Sequence, residues 1–336
     1  MNKFTLQILV FTFLCSILVC SILLIENFIL KKNNYFKNPN MLEYAFLGHS
    51  HSECTYNDTI IVNSKNFSRS GEAYFYTYQK AKMILSTTPK INVIFIEFSN
   101  GDIAKSRDNW IWKNRYLDHR FEKYSSYMDI EDHFLLIRNN TTGYINNFFK
   151  TRKHNFSKIV KSQYNITSNL GRFRYLKRDK TDSLIIAKGK IPSEIVYTEN
   201  VNAIRVKLRE KSYAEISEEN LNYLIKTIEL FQNQGCKVFL VRSPTHIEFE
   251  GYRNENLFQS ILKDKLTFTE FLDFNNFPLQ HTEFRDFGHL NFKGAKKYSE
   301  WFNELIKSGL LEKPNKQEYI NNKILEKNKN YLEDGN

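Results

Sequence analysis

Two short segments of this 336-residue chain carry side chains that could do acyl chemistry together. The first is Phe46-Leu47-Gly48-His49-Ser50-His51-Ser52-Glu53. The second is Asp286-Phe287-Gly288-His289-Leu290-Asn291-Phe292-Lys293-Gly294-Ala295. A serine hydroxyl is a weak nucleophile until an imidazole takes its proton. The imidazole in turn needs a carboxylate to fix its tautomer and stabilise its cationic form. Ser50 offers the hydroxyl, His289 the base, and Asp286 a carboxylate three residues before that base. Taken alone, Ser50 reads as a helix N-cap, with Glu53 completing a capping box, and His289 as a salt-bridge partner of Asp286. The pairing of the two blocks is what points to catalysis. His49, His51 and Cys54 are types that zinc accepts. No second cluster with ligand spacing accompanies them, so neither a metal nor another cofactor is expected.

The blocks lie far apart in the chain, so a fold must bring them together. Residues 44–48 read as a buried strand ending in glycine. Residues 72–86 read as a helix with Tyr74, Tyr78, Ala81 and Leu85 on one face, ended by Pro89. Residues 91–98 are rich in β-branched and aromatic side chains and read as a strand. Residues 218–234 carry Leu221, Leu224, Ile225, Ile228 and Phe231 at helical spacing, with Gly235 as the natural stop. A strand at 236–241, a helix at 254–262, an extended segment at 267–274 and a last helix at 291–306 follow. Strands alternating with helices predict an α/β fold with a mostly parallel sheet covered on both faces. In such a sheet the loops at strand C-termini share one rim, where Ser50 and the Asp286-x-x-His289 segment can meet. Residues 103–217 break the alternation; they are basic and aromatic and read as a mixed insertion.

On these blocks the chain resembles the SGNH (GDSL-type) hydrolase and acyltransferase superfamily, cell-envelope branch, over residues 42–102 and 218–310. The resemblance implies a three-layer α/β/α flavodoxin-like core. It implies Ser50 as nucleophile, His289 as base and Asp286 as its orienting carboxylate. It also implies an oxyanion site made by the N–H groups of Ser50 and Gly71 and the side chain of Asn100. His49 stands where the family usually has Asp, and Ser99-Asn100-Gly101 replaces the usual Gly-x-Asn-Asp block. His49, His51 and His246 are candidate substrate contacts. The implied activity is ester chemistry through an acyl-serine, either O-acyl transfer to an envelope carbohydrate or its deacylation. Transfer would call for a multi-span membrane partner as acyl donor. The alternative is a degenerate, non-catalytic SGNH domain that binds glycan or scaffolds an envelope complex.

The remaining signals bound where such chemistry would occur. No charge interrupts residues 4–25, long enough at 1.5 Å per residue to cross a hydrocarbon core of ~30 Å. No small-x-small cleavage signature follows, so this run reads as an uncleaved single-pass anchor in the cytoplasmic membrane, with the domain outside. Residues 1–30 are thus the anchor and 31–40 a polar stalk. Residues 41–310 form the α/β domain with the insertion at 103–217, and 311–336 a charged tail. The formal net charge is +11, but no dense Lys/Arg block or RNA-binding aromatic motif occurs, so no nucleic-acid role is expected. Outside the anchor only Cys54 and Cys236 remain, which excludes a disulfide-stapled scaffold.

Overall fold

The computed structural model describes residues 2–33, 42–87, 91–161, 170–176, 215–249 and 254–333. They divide into two compact units. One comprises Met1–Lys37 with Trp112–Ser168, the other Asn38–Ile111 with Asn169–Asn336.

The second unit holds a five-stranded sheet of β1 (Tyr44–Leu47), β2 (Ser64–Asn66), β3 (Val93–Glu97), β4 (Lys237–Arg242) and β5 (Glu270–Asp273). Their order is β2-β1-β3-β4-β5, and every pair is parallel. The register sets Phe46 opposite Phe95 and Phe95 opposite Phe239. Their rings stack across three strands at 5.2 and 5.7 Å. Phe302, on the helix Phe292–Lys307, meets Phe46 and Phe95 edge-on at 5.8 and 5.5 Å. Fully burying one such ring is worth ~2–3 kcal/mol. Alternation along the strands turns Ala45, Leu47, Ile94, Ile96 and Leu240 to the opposite face, where they too are buried. There the helix α3 (Tyr74–Thr87) packs against a helix at Glu218–Gln232, which also touches β4.

The helices follow capping and periodicity. Among the described residues they are, in chain order, α1 (Lys3–Asn33), α2 (Ser50–Thr55), α3, α4 (Asp108–Trp112), α5 (Asn114–Tyr124), α6 (Ile130–Asn139), α7 (Thr141–Val160), α8 (Glu218–Gln232), α9 (Glu255–Lys265), α10 (Phe292–Lys307) and α11 (Lys316–Glu333). Ser217 caps α8 by accepting the Asn220 N–H at 3.0 Å. Gly235, at φ +79°, ends the segment that follows. Asn291 caps α10 by accepting from the N–H groups of Lys293 and Gly294. A two-stranded hairpin, β6 (Phe284–Asp286) and β7 (His289–Leu290), precedes α10.

Three expectations change. Over its described residues, 311–333, the expected charged tail at 311–336 is not loose: α11 buries Ile320 and Ile324 in the core cluster beside Phe302 and Leu305. Its apolar residues are few but share a face, which is enough for docking. β2 was not expected, because Ser-Lys-Asn has little strand propensity; pairing with the edge of β1 makes it a strand. The separate unit takes only 112–168 of the expected insertion at 103–217. Asp108 bonds Ser217, and Arg174 N–H donates to Glu53 O at 2.7 Å, so the flanks stay with the sheet. Residues 162–169 and 177–214 of that insertion, 34–40 of the expected stalk and 334–336 of the expected tail lie outside the described residues. α1 itself is long and apolar enough to cross a membrane, a test that a signal sequence would also pass.

Candidate active site

The site begins with a glycine. Gly48 follows β1 at φ +146°, and a Cβ there would sit 2.5 Å from the Cβ of Glu97. Only glycine lets β1 turn this closely over β3 into α2. His49 is the N-cap of α2: its Nδ1 accepts from His51 N–H at 3.4 Å. Ser50 is therefore the first residue of the helix rather than its cap. Glu53 does not close a capping box; its carboxylate accepts from the N–H of Ser70 at 2.9 Å and bonds the Ser70 hydroxyl.

The second block arrives on a hairpin. Asp286 and His289 are cross-strand partners in β6–β7, joined by the two-residue turn Phe287-Gly288. Gly288 N–H donates to Asp286 Oδ1 at 3.0 Å. Asn291 pins the hairpin to the start of α10, its amide donating to the carbonyls of Thr282 and Phe284 at 2.6 and 3.1 Å. This places His289 Nδ1 2.7 Å from Asp286 Oδ1 and His289 Nε2 2.8 Å from Ser50 Oγ. Three side chains from two segments form one continuous hydrogen-bonded line. Burial acts to raise the Asp286 carboxyl, but the hydrogen bond and charge of His289, with the Gly288 N–H, outweigh it and hold the group below the ordinary carboxylate range. An ionised Asp286 accepts from Nδ1–H, which leaves Nε2 free to accept the Ser50 proton.

The other expected residues separate into distinct roles. Gly71, at φ +67°, lies in a turn closed by Glu72 N–H donating to Arg69 O at 3.2 Å. Through Ser70, Glu53 ties that turn to the helix carrying Ser50. Asn100 is engaged at both ends of its amide: Oδ1 accepts from Arg242 at 3.0 Å, and Nδ2 donates to Glu255 at 2.6 Å. Those bonds tie it to a buried ion-pair cluster, so an oxyanion role would have to use the second N–H of the same amide.

His49 and His246 differ from their expected part as substrate contacts, since both are closed off, at 2% and 1% exposure. His246 N–H donates to Phe287 O at 2.9 Å, and its ring stacks on Phe287 at 5.0 Å, supporting the hairpin turn from below. His49 Nε2 lies 3.1 Å from Asp102. Because Nδ1 accepts from His51 N–H, the proton belongs on Nε2 and is donated to Asp102. Burial lowers the His49 pKa although Asp102 opposes it. Asp102 is held well below the usual range: burial would raise it, but His49 and Arg107 prevail.

His51 is also mostly buried, with its ring 5.2 Å from that of His289 and 5.5 Å from that of Phe249. Burial, then the neighbouring His49 and His289, keep it neutral. Cys54 is buried within the unit, and burial pushes its thiol up to about 12, which disfavours the thiolate.

Asp102 is not marked as a site residue by the sequence motifs. The signal was its place two residues beyond Asn100, opposite a histidine where the resemblance calls for an acid. Trp110 likewise belongs to no motif; its ring meets His49 edge-on at 6.3 Å and stacks under the Arg107 guanidinium at 3.8 Å.

No curated protein matches this chain. A model of one uncharacterised family, with no functional description, matches residues 184–311, less than half of the chain. That stretch includes Asp286 and His289 but not Ser50.

Proposed function

We propose that this protein performs serine-dependent ester chemistry with an SGNH-like site, transferring an O-acyl group to an envelope carbohydrate or removing one. The observation that carries the reading is the hydrogen-bonded line Ser50–His289–Asp286, with both contacts under 3 Å. The parallel order β2-β1-β3-β4-β5 is that of flavodoxin-like sheets and supports an SGNH-like core.

In this mechanism Ser50 Oγ attacks the acyl carbonyl as its proton passes to His289 Nε2. Asp286 holds the resulting imidazolium through Nδ1–H. The carbonyl oxygen becomes an oxyanion, for which the Ser50 N–H at the start of α2, the Gly71 N–H and the second amide N–H of Asn100 are the assigned donors. The tetrahedral centre collapses, the C–O bond to the leaving alcohol breaks, and His289 returns its proton to that alcohol. A sugar hydroxyl or water then gives a proton to His289 Nε2 and attacks the acyl-serine. Collapse frees Ser50, which regains the proton. His49, held by Asp102, positions the nucleophile loop without touching substrate. α1 serves as the single-pass anchor in the cytoplasmic membrane with the catalytic unit outside, and a multi-span partner would deliver the acyl group if transfer is the reaction.

The test is an activated serine probe and a generic acetyl ester offered to the full chain in detergent, read by mass spectrometry. An adduct at Ser50 that is lost in Ser50→Ala and slowed in His289→Ala supports the reading. Ester turnover unchanged in Ser50→Ala would overturn it. A wild type inert to every probe would favour the degenerate, glycan-binding alternative.

A further inference from the structure

The unit that contains α1 also contains α5, α6 and α7, and α7 has its polarity inside out. Its buried residues are Gly143, Asn147, Thr151 and Asn155. Its exposed face carries Ile145, Phe149, Phe156 and Val160. At 3.6 residues per turn these two sets project from opposite sides of the helix. A helix in a water-soluble protein does the reverse, burying its apolar stripe and wetting its polar one. The polar inner face is satisfied: Asn147 donates to Asp118 Oδ1 at 2.7 Å and to Gly143 O at 2.9 Å. The outer face is not covered by any described residue: Phe149 and Phe156 are 68% and 69% exposed, and Ile130 and Phe134 on α6 are exposed as well. An apolar face of this extent needs an apolar neighbour.

The neighbour is indicated by what holds α7 in its unit. Arg152, midway along α7, pairs with Glu26 of α1 at 3.1 Å. Glu26 is the first charge after the apolar run of the anchor. If that run spans the bilayer, Glu26 marks the level where the chain leaves the hydrocarbon, and α7 is held at that level. Phe149 and Phe156 lie about one helical turn to either side of Arg152. α7 has no acidic residue, while Lys150 and Lys153 are exposed beside the stripe. Apolar side chains flanked by lysines, with no acid, form the pattern of a helix lying in an anionic membrane interface.

We propose that α7, with the adjoining apolar residues of α6, inserts its outer face into the headgroup boundary of an anionic bilayer beside the anchor. The unit would thus hold the membrane at two places, the spanning α1 and the surface-lying α7. This rests on α1 being a membrane span and is independent of the chemistry at Ser50.

The full chain is reconstituted in nanodiscs of phosphatidylcholine and phosphatidylglycerol, with the photo-crosslinking residue p-benzoylphenylalanine replacing Phe11, Phe149 or Phe156 in turn. All three rings are exposed, so the replacement leaves the packing intact. Lipid adducts by mass spectrometry are expected at all three positions. Adducts at Phe11 with none at Phe149 and Phe156 would overturn the surface contact while leaving the anchor standing. No adduct at Phe11 would remove the span on which the argument rests. Crosslinks at Phe149 or Phe156 to a second copy of the chain, in place of lipid, would overturn the lipid assignment.

Discussion

Glu97 ends β3 directly beneath Gly48 and is completely buried. The N–H of Ser243 donates to its Oε1 at 3.1 Å, and the Ser243 hydroxyl meets Oε2. Among the described residues no Lys or Arg forms an ion pair with it. Burial therefore dominates, and against the bonds from Ser243 it raises the pKa from 4.5 to about 8. At neutral pH Glu97 is an acid in the folded protein and a carboxylate in the unfolded chain. Below the unfolded value both states hold the proton and stability is unaffected. Between the two values the folded state alone holds it, so stability falls as pH rises, by ~1.4 kcal/mol per pH unit, and then levels off. The whole interval is worth on the order of 5 kcal/mol. Glu97→Gln copies the neutral form: the amide oxygen accepts from Ser243 N–H, and the amide nitrogen donates to its hydroxyl. The variant should match the wild type at about pH 4 and exceed it at about pH 9. At ~2–4 °C per kcal/mol the alkaline gain should be about 10 °C or more in Tm. Thermal unfolding of the detergent-solubilised full chain, followed by tryptophan fluorescence, reads both. A difference in Tm that stays the same from acid to alkaline pH would refute the reasoning, because a proton held only by the folded state requires that it grow.

Gly48→Ala should lower Tm and slow serine-probe labelling at Ser50, because the new methyl meets Glu97 in a backbone conformation that alanine resists; unchanged labelling would show that the turn tolerates a side chain. Asp102→Ala should cost about 1–3 kcal/mol by leaving the buried His49 N–H without its acceptor, and should slow labelling at Ser50 without abolishing it, as read by Tm and labelling rate. His289→Ala should slow labelling about 10²–10⁴-fold, with a normal circular dichroism spectrum; Asp286→Asn should slow it less, because the base remains. Ile320→Ala should cost about 2–5 kcal/mol in chemical denaturation, since α11 is docked through it; a negligible loss would return residues 311–336 to the role of a tail.

Much of the sheet was legible in the sequence because its signals are local. β1, β3 and β4 are short apolar runs bounded by Gly, Pro or polar residues. α3, α8 and α10 bury stripes at helical spacing. Ser50, Asp286 and His289 were legible as a set because a hydroxyl, an imidazole and a carboxylate are types that bond in line, and a parallel sheet restricts where its loops converge. The features that were not legible depend on partners distant in the chain. Ser64–Asn66 is a strand only because β1 offers it an edge, and α11 is a docked helix only because the core accepts Ile320 and Ile324. Asn100 is drawn into a cluster with Arg242 and Glu255, more than 140 residues away. His49 and His246 look like histidines that could meet a substrate, but burial makes one a link to Asp102 and the other a prop under the hairpin. The sequence by itself determined which residues are chemically able to act. The tertiary structure decided which of them meet, because hydrogen bonds reach about 3 Å and only the parallel sheet, the Gly48 turn and the β6–β7 hairpin bring Ser50 and His289 within that reach.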